Sequence, residues 1–435
     1  IYDEALDKII TMKELILLMY EYSYEALKIF GDEDIINGIH SILDNGTECD
    51  AQLDVYKKYG YEGLKLFLIN NVDYWKGVKK MARKIVHVVG TGTIGEPLIG
   101  LLCDFKDDLG IDEVTFHKNS PLATDKTKVI NLLKRGARLS TNKEKFEGFQ
   151  NINLRPEFTT EEALDRASVV IDCTPTGYGH KNKNQYYDKY THNTLGFVAQ
   201  ASEFGFGKMY ARGINDNTLI QGEDKFIHVV SCNTHNLSVI TDTLALKDGK
   251  DNLINGRFNL IRRANDVSQA NNFIPSPQVG SHKDPVYGTH HARDAAKLFE
   301  TLDLNLDLFS SAMKINSQYM HILYFHLTVN KKTTIEEVIK RLEENDRIAI
   351  TEKINSNEVF SFGRDYGHYG RILNQAVVAK STLAVRNENE IMGYCFTPQD
   401  GNSLLSSLAI TEWFLYPNSY EDKIQCLKPL FFDEV

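Results

Sequence analysis

The sequence predicts a chain of α/β and α+β parts: a Rossmann-like, doubly wound domain, and then a domain with a mixed or antiparallel sheet. Two patterns carry this prediction. Short, almost continuously apolar runs, with helical stretches between some of them, are typical of buried parallel strands; they lie at residues 85–89, 113–116, 169–172 and 227–230. Longer strand-like runs, which suit a broad and mostly antiparallel sheet, follow at residues 258–261, 321–329 and 348–351.

The chain divides into three predicted regions. Residues 1–84 carry apolar side chains at helical spacing and predict a helical N-terminal extension, which we interpret as a packing or oligomer-contact segment. Residues 85–231 form the Rossmann-like domain, and residues 232–399 form the α+β domain. A C-terminal helical stretch, at about 400–435, is predicted to pack back on the first domain.

Composition narrows the class of protein. The chain is 42% hydrophobic and 25% charged, as soluble globular proteins are, and its net charge of −10 makes nucleic acid a poor candidate partner. No apolar run reaches membrane-spanning length and the start lacks a secretion pattern, so we expect a cytoplasmic protein without a membrane partner. The six cysteines form no C-x-x-C pair, which argues for a reducing compartment and against a zinc site.

A glycine-rich turn follows the first predicted strand and opens a helical stretch. Glycines at Gly90, Gly92 and Gly95 would let the backbone approach a diphosphate, and the helix start would offer free N–H donors. We therefore predict a nucleotide-binding domain, with Thr93 and Ile94 also in contact with the cofactor. The alternative is an ordinary glycine-rich turn between a strand and a helix.

The residues after the second predicted strand bear on the choice of cofactor. NAD-specific sites usually place a carboxylate there for the ribose hydroxyls, whereas this chain has Lys118 and Asn119. A lysine favours the extra phosphate of NADP, so NADP is the expected cofactor and NAD the alternative. Lys118 alone is also compatible with a solvated loop lysine.

Cys232 follows the last short strand at a polar turn and stands at the predicted start of a helix. The positive end of the helix dipole would lower the pKa of its thiol and favour the thiolate, which is the nucleophilic form. A buried structural cysteine is the alternative, because that is the usual role of a single cysteine.

Several motifs, in order along the chain, resemble those of the archaeal-type (class II) glyceraldehyde-3-phosphate dehydrogenases. Ser-Cys-Asn-Thr at 231–234 is similar to the active-site signature of that family, although His235 and Asn236 replace its Thr-Gly. Six further segments match in register: 90–95, 118–121, 172–182, 262–266, 289–294 and 320–321. The resemblance covers residues 85 to about 330 well, is looser beyond, and gives the first 84 residues no counterpart.

The resemblance implies roles for particular residues. Cys232 would form a thioester with the substrate, and His321 would serve as the acid–base group. Further cofactor contacts would come from Thr174, Pro175 and Gly177, and we also expect one from Gln399. Substrate or inorganic phosphate would be bound by side chains with hydrogen-bonding groups: Ser231, Asn233, Thr234, Arg262, Arg263, His290 and His291.

The resemblance thus implies reversible oxidation of glyceraldehyde 3-phosphate with inorganic phosphate in a catalytic domain that begins at Cys232, and a homotetramer. A related semialdehyde dehydrogenase or acyl-thioester reductase would keep Cys232 but use a substrate without phosphate. A non-catalytic nucleotide-binding scaffold is the alternative from another class. Two departures from the family pattern concern the substrate site. The substitutions at His235 and Asn236 remove a hydroxyl that would belong to the phosphate site, so they affect the phosphorylating step. An insertion-like run at 280–288 either reshapes the substrate pocket or is a longer loop.

Overall fold

Two β-sheets organise the described part of the chain. The computed structural model describes residues 83–200, 202–265, 274–398 and 400–435. The predicted helical extension therefore lies outside the described residues, apart from its last two positions, and so does Gln399. Among the described helices, none combines the length and the apolar character that crossing a bilayer requires.

The first sheet is parallel throughout. Its strands are β1 (Ile85–Val89), β2 (Glu113–His117), β3 (Arg138–Thr141), β4 (Phe158–Thr159), β5 (Val169–Asp172), β6 (Gly196–Ala199), β7 (Lys208–Tyr210) and β8 (Phe226–Val229). Their order is β4-β3-β2-β1-β5-β6-β8-β7, and each adjacent pair runs parallel. The order reverses between β1 and β5. In a doubly wound sheet, a ligand crevice opens at the carboxyl ends of the strands at this point.

The apolar runs produce the predicted strands. All residues of β1 and β5 are buried, as expected for central strands covered on both faces. The helices associated with this sheet are α1 (Gly95–Asp104), α2 (Lys106–Leu109), α3 (Lys126–Lys134), α4 (Phe146–Asn151), α5 (Thr160–Arg166) and α6 (Tyr178–Gln185). The predicted Rossmann-like architecture is confirmed.

The second sheet is mixed, as predicted. Its strands are β9 (Leu253–Arg262), β10 (Gln278–Val279), β11 (Leu308–Lys314), β12 (His321–Val329), β13 (Ile348–Thr351), β14 (Ala376–Ala379), β15 (Ala384–Arg386) and β16 (Glu390–Thr397). The order is β10-β11-β9-β12-β16-β14-β13, with β15 also on β16; only β9/β11 and β13/β14 run parallel. Burial alternates along β12, so one face of this strand packs into the core.

Helix α7 (Cys232–Leu244) links the two sheets in sequence and packs on β12 of the second sheet. The remaining helices of this region are α8 (His290–Glu300), α9 (Ile335–Glu343) and α10 (Ser356–Tyr366). The 3₁₀ segments of the described residues are Ala123–Asp125, Lys143–Lys145, Tyr187–Tyr190, Asp216–Thr218, Leu246–Asp248, Lys380–Thr382 and Ile424–Leu430.

The C-terminal segment contacts both sheets. Helix α11 (Leu404–Leu415) is buried along its whole length and packs on β5 and β6. The Phe414 ring packs on Gly196, where an added Cβ would lie 2.1 Å from the ring. After α12 (Tyr420–Lys423), Glu434 forms a parallel bridge with Ile350 of β13. The division into domains at residue 232 stays a prediction.

Candidate active site

The glycine turn at 90–95 combines tight packing with an open edge. Gly90 has φ +102°, and a Cβ on Gly95 would lie 2.1 Å from the Gly90 carbonyl oxygen, so neither position accepts a side chain without distortion. A Cβ on Gly92 would meet nothing within 4 Å. Within the described residues, the N–H groups of Thr93 and Ile94 donate to no protein acceptor. The turn therefore presents free donors at the start of α1, as phosphate-binding turns do.

Two buried carboxylates hold the loop that follows β5. Asp172 Oδ1 accepts a hydrogen bond from Thr174 N at 2.9 Å, while Oδ2 accepts one from Asn182 Nδ2 at 2.8 Å. Glu203 accepts from the N–H of Gly177, at the start of α6. The loop runs beside the glycine turn, because a Cβ on Gly90 would lie 3.0 Å from the Cys173 carbonyl oxygen. Thr174, Pro175 and Gly177 thus stand at the crevice between β1 and β5.

Lys118 is not a solvated loop lysine. Its side chain is only 9% exposed, and its Nζ lies 2.6 Å from Asp125 Oδ2. Lys128 Nζ donates to the Thr91 carbonyl oxygen at 3.2 Å and lies 3.9 Å from Asp125 Oδ1. The end of the second strand therefore carries a carboxylate after all, because Asp125 is seven residues from Lys118 in sequence but folds back onto it. Asn119 is exposed beside it and accepts a hydrogen bond from Asn142 at 3.3 Å.

Cys232 is the first residue of α7, as the sequence predicts, and its side chain is partly exposed. Ser231 is the N-cap, with its Oγ 3.0 Å from the Thr234 Oγ1. Asn402 Nδ2 donates to the Cys232 carbonyl oxygen at 2.8 Å, and Thr397 Oγ1 donates to Asn233 Oδ1 at 3.4 Å. The first turn of α7 is therefore fixed by contacts from β16 and the segment after it.

The expected lowering of the thiol pKa is wrong for this structure. Burial raises the pKa of the Cys232 thiol to about 11; the Asp400 carboxylate adds to the increase, while Arg263 and Arg262 oppose it. A helix N-terminus is worth about 0.3–1 kcal/mol, which is less than one pKa unit. Desolvation shifts buried groups by up to roughly 3–5 units. Although the side chain is partly exposed, desolvation around the sulfur therefore outweighs the dipole in this geometry.

The buried Arg263 lies near both Cys232 and His321. Arg263 Nη2 lies 3.1 Å from Asp400 Oδ2, and its backbone N–H donates to His321 Nδ1 at 2.9 Å. Arg262 and Arg263 act on the pKa of both Cys232 and His321, so the arginine pair lies close to both. Cys232 and His321 therefore both lie within electrostatic range of the same arginine pair.

The hydrogen bond at Nδ1 determines the tautomer of the neutral His321 ring. A backbone N–H can only donate, so Nδ1 carries no proton and the neutral ring holds its proton on Nε2. Burial, and then the charges of Arg263, Arg262 and Lys314, hold the pKa of His321 well below its usual value. In this arrangement His321 is a neutral hydrogen-bond donor through Nε2. The role of His321 as the acid–base group stays a prediction; in this geometry its ring offers a donor at Nε2, and its acceptor nitrogen is occupied.

Arg262, His290 and His291 form a polar cluster at the start of α8. The two imidazole rings are 3.9 Å apart between centroids. Burial, followed by the charges of Arg262 and Arg293, lowers the pKa of His290 to about 4, and burial lowers that of His291 as well. Within the described residues, Arg262 Nε and both ring nitrogens of His291 are buried without a hydrogen-bond partner. Buried polar atoms without partners carry a free-energy cost that a bound ligand would remove.

A cavity of about 190 Å³ leads from the glycine turn to Arg263. Its lining residues include Thr93, Arg263, Tyr319, Met320, Arg371 and Asp400. The glycine turn and the arginine of the predicted substrate site therefore border the same space.

The chain matches no protein-family model. Three curated proteins named glyceraldehyde-3-phosphate dehydrogenase, all from archaea, match most of its length. The Sulfolobus acidocaldarius protein is 25% identical over 322 residues, covering 72% of this chain and 86% of the relative. The Metallosphaera sedula protein is 26% identical over 321 residues (71% and 86%), and the Hyperthermus butylicus protein is 28% identical over 322 residues (72% and 86%). The chain is similar to archaeal glyceraldehyde-3-phosphate dehydrogenases.

The two departures from the glyceraldehyde-3-phosphate dehydrogenase signature have structural partners. His235 Nε2 lies 2.8 Å from Ser406 Oγ in α11, and its Nδ1 lies 3.2 Å from the Ser231 carbonyl oxygen. Asn236 Nδ2 donates to Thr397 Oγ1 at 2.7 Å. Both side chains are completely buried, so they connect α7 to α11 and β16.

Sequence reasoning missed three residues of this site. Asp400, Asn402 and Arg371 reach it from the C-terminal third of the chain, where the resemblance to the dehydrogenases is loose. In this part of the sequence, the polar run between β16 and α11 is the one feature that indicates a functional loop. Arg371 stands in an unremarkable Gly-Arg-Ile segment and gives no signal of its own.

Replacing Asp400 by asparagine is expected to lower the pKa of the Cys232 thiol, because it removes the carboxylate that raises this pKa. Asp400 has φ +63°, a conformation that asparagine tolerates well. Alkylation of Cys232 by iodoacetamide should then be roughly tenfold faster at pH 8, for a shift of about one pKa unit. Asp365→Asn, at an exposed carboxylate, is the matched control. Identical pH–rate profiles for Asp400→Asn and the unmodified protein would contradict this account.

Proposed function

We propose that the chain is a nicotinamide-nucleotide-dependent dehydrogenase of glyceraldehyde 3-phosphate, which uses inorganic phosphate and forms the acyl phosphate through a thioester on Cys232. One observation carries the proposal: Cys232 begins a helix within electrostatic range of the buried Arg263, and the cavity at Arg263 extends to the glycine turn at 90–95. The similarity to archaeal proteins named glyceraldehyde-3-phosphate dehydrogenase supports the proposed substrate. A homotetramer and a cytoplasmic location stay predictions from the resemblance.

The bond-forming steps centre on the Cys232 sulfur. After the Cys232 thiol releases its proton to water, the sulfur forms a bond to the aldehyde carbon, and the electron pair of the C=O π bond moves to the former carbonyl oxygen as negative charge. His321, with its proton on Nε2, would donate a hydrogen bond to that oxygen, and Asn233 and Thr234 stand in the same first turn of α7. Oxidation leaves an acyl group on the sulfur. A phosphate oxygen then attacks the thioester carbon, and Cys232 leaves as the thiolate.

The cluster of Arg262, His290 and His291 fits a phosphate. Arg262 supplies positive charge, and the unpaired ring nitrogens of His291 supply a hydrogen-bond donor and an acceptor. The two histidines are neutral near pH 7, because burial lowers their pKa. They would therefore bind a phosphate oxygen or hydroxyl by hydrogen bonds, while the arginines carry the charge. The partners of His235 and Asn236 lie in α11 and β16, which supports a phosphate site independent of these two substitutions.

The residues at the β1/β5 crevice fit a nicotinamide dinucleotide. The free N–H groups of Thr93 and Ile94 and the open space at Gly92 suit a diphosphate, with Thr174, Pro175 and Gly177 on the opposite side of the crevice. When bound, the nicotinamide would supply the hydride acceptor for the aldehyde carbon. Thr93 belongs to the turn and also lines the cavity that contains Arg263, so one ligand can extend from the turn toward Arg263.

We propose NADP as the preferred cofactor, with the preference limited by Asp125. The Asp125 carboxylate neutralises Lys118, which would otherwise bind the 2′-phosphate. Asp125→Asn should therefore strengthen NADP binding by roughly tenfold, which is the contribution of one charge-assisted hydrogen bond. NAD binding should stay nearly unchanged. Lys118→Glu should shift preference toward NAD. Dissociation constants of both cofactors measure this; a strong NAD preference that persists in Asp125→Asn would refute the role of Lys118.

A cofactor-reduction assay tests the proposed function. Glyceraldehyde 3-phosphate, an unphosphorylated aldehyde and a dicarboxylic semialdehyde are each supplied with NADP or NAD, with and without inorganic phosphate. The proposal expects fastest turnover with glyceraldehyde 3-phosphate, and steady turnover only with phosphate present. Equal rates for the unphosphorylated aldehyde would instead favour a semialdehyde dehydrogenase or acyl-thioester reductase. Absence of any reaction with all substrates would favour a nucleotide-binding scaffold.

A further inference from the structure

A tight turn over residues 367–371 follows α10 and ends at Arg371. The N–H of Gly367 donates to the Gly363 carbonyl oxygen at 2.9 Å, and the N–H of Arg371 donates to His368 O at 2.9 Å. Tyr369, in the middle, has φ +52°. The backbone direction at Arg371 is therefore set by a closed, hydrogen-bonded turn.

Tyr369 fixes this turn against helix α1. A Cβ on Gly100 would lie 2.3 Å from the Tyr369 ring, so the ring fills the space that any side chain at this helix position would need. The Arg135 guanidinium lies 4.5 Å from the centroid of the same ring. The turn thus packs on the helix whose N-terminus forms part of the nucleotide turn.

The packing places the Arg371 guanidinium beside the phosphate-binding turn. Its Nη2 donates to the Thr93 carbonyl oxygen at 3.3 Å, and its Nη1 donates to the Tyr369 carbonyl oxygen at 2.6 Å. These contacts use two of the five N–H donors of an arginine. Both acceptors are neutral.

The two cavity arginines differ in their partners. Arg263 faces the Asp400 carboxylate, whereas no carboxylate of residues 83–200, 202–265, 274–398 or 400–435 forms an ion pair with Arg371. Arg371 is also only partly exposed. A partly buried guanidinium without a counter-charge is stabilised by an anionic ligand, and its planar fork suits phosphate oxygens.

We propose that Arg371 binds a phosphate oxygen of the cofactor's diphosphate, and so completes from the second half of the chain the site that the glycine turn begins. The inference rests on the proposed function. The substrate phosphate offers the same chemistry, but the hydrogen bond from Arg371 to Thr93 O places the guanidinium next to the N–H groups at the start of α1. Backbone donors and the guanidinium would then contact one diphosphate from two sides.

The test is equilibrium binding of NADPH to the full chain, followed by nicotinamide fluorescence, for the unmodified protein and for Arg371→Gln. We expect the dissociation constant of NADPH to rise by roughly ten- to a hundredfold in Arg371→Gln, because the variant loses a hydrogen bond between charged groups. Arg371→Lys keeps the charge and should fall between the two. Arg364→Gln, at an exposed arginine seven residues earlier, is the matched control and should bind normally. Thermal unfolding verifies that each variant is folded.

The outcomes separate this inference from the proposed function. If the unmodified protein binds neither NADPH nor NADH, both are wrong. If it binds NADPH and Arg371→Gln binds equally well, only the role of Arg371 is wrong. If Arg371→Gln instead raises the KM for glyceraldehyde 3-phosphate with NADPH binding unchanged, the guanidinium binds the substrate phosphate, which overturns the assignment to the diphosphate.

Discussion

Replacing Cys232 by serine should reduce turnover by roughly 10³-fold or more, the scale seen when a catalytic nucleophile is removed. A serine hydroxyl is a far weaker nucleophile than a thiolate near neutral pH, so the adduct with the aldehyde would form too slowly. Serine is also compatible with the start of α7, and the hydrogen bond from Asn402 to the Cys232 carbonyl oxygen involves only the backbone at this position. Steady-state rates measure the effect, and NADPH binding should stay nearly intact.

Cys103→Ser is the matched control for this prediction, because Cys103 is also partly exposed but lies in α1. It should retain normal turnover. Loss of a nucleophile should cost far more than a hundredfold in rate. If Cys232→Ser retains more than about a hundredth of the rate, the thioester assignment is contradicted.

Replacing Arg263 by alanine should have the second-largest effect, and it should change both stability and catalysis. Arg263 is buried and pairs with Asp400, so its removal leaves a carboxylate without this partner beside Cys232. Breaking a buried ion pair from one side typically costs roughly 3–5 kcal/mol of unfolding free energy. The KM for glyceraldehyde 3-phosphate or inorganic phosphate should also rise by roughly ten- to a hundredfold, far more than that for NADP.

A second substitution separates the two consequences. Asp400→Asn in the Arg263→Ala background removes the uncompensated carboxylate, so it should recover part of the unfolding free energy without restoring the KM. Arg257→Ala is the control: Arg257 lies on the same strand, β9, and forms an exposed ion pair with Asp307. It should change neither quantity much. Full recovery of the KM in the double variant would show that Arg263 is a structural residue only.

Local patterns were sufficient to predict most of the fold. The four short apolar runs became β1, β2, β5 and β8 within one residue, because central parallel strands are buried on both faces and tolerate few polar side chains. The glycine turn and the helix start at Cys232 were also predictable, because both depend only on residues that are adjacent in sequence. Short edge strands such as β4 and β10, two residues each, leave no comparable pattern.

The chemistry of the site depends on contacts that sequence spacing does not encode. The pKa of Cys232 rises because distant segments desolvate its sulfur and place Asp400 nearby, whereas the sequence shows only its position at a helix start. His321 becomes a donor because the backbone of Arg263, 58 positions away, occupies its Nδ1. Lys118 forms an ion pair with Asp125, because a turn brings the two residues together, so its charge is already compensated within the protein. Each of these features arises from tertiary contacts.

The covalent step at Cys232 is the centre of the account, and a single-turnover experiment measures it directly. The enzyme is mixed with NADP and glyceraldehyde 3-phosphate without inorganic phosphate, and quenched samples are analysed for NADPH and by intact-mass and peptide mass spectrometry. The account predicts one burst of NADPH per active site and one phosphoglyceroyl group on the peptide that contains Cys232, which inorganic phosphate then removes. NADPH formation with no acyl group on that peptide, or with the group on another cysteine, would contradict it.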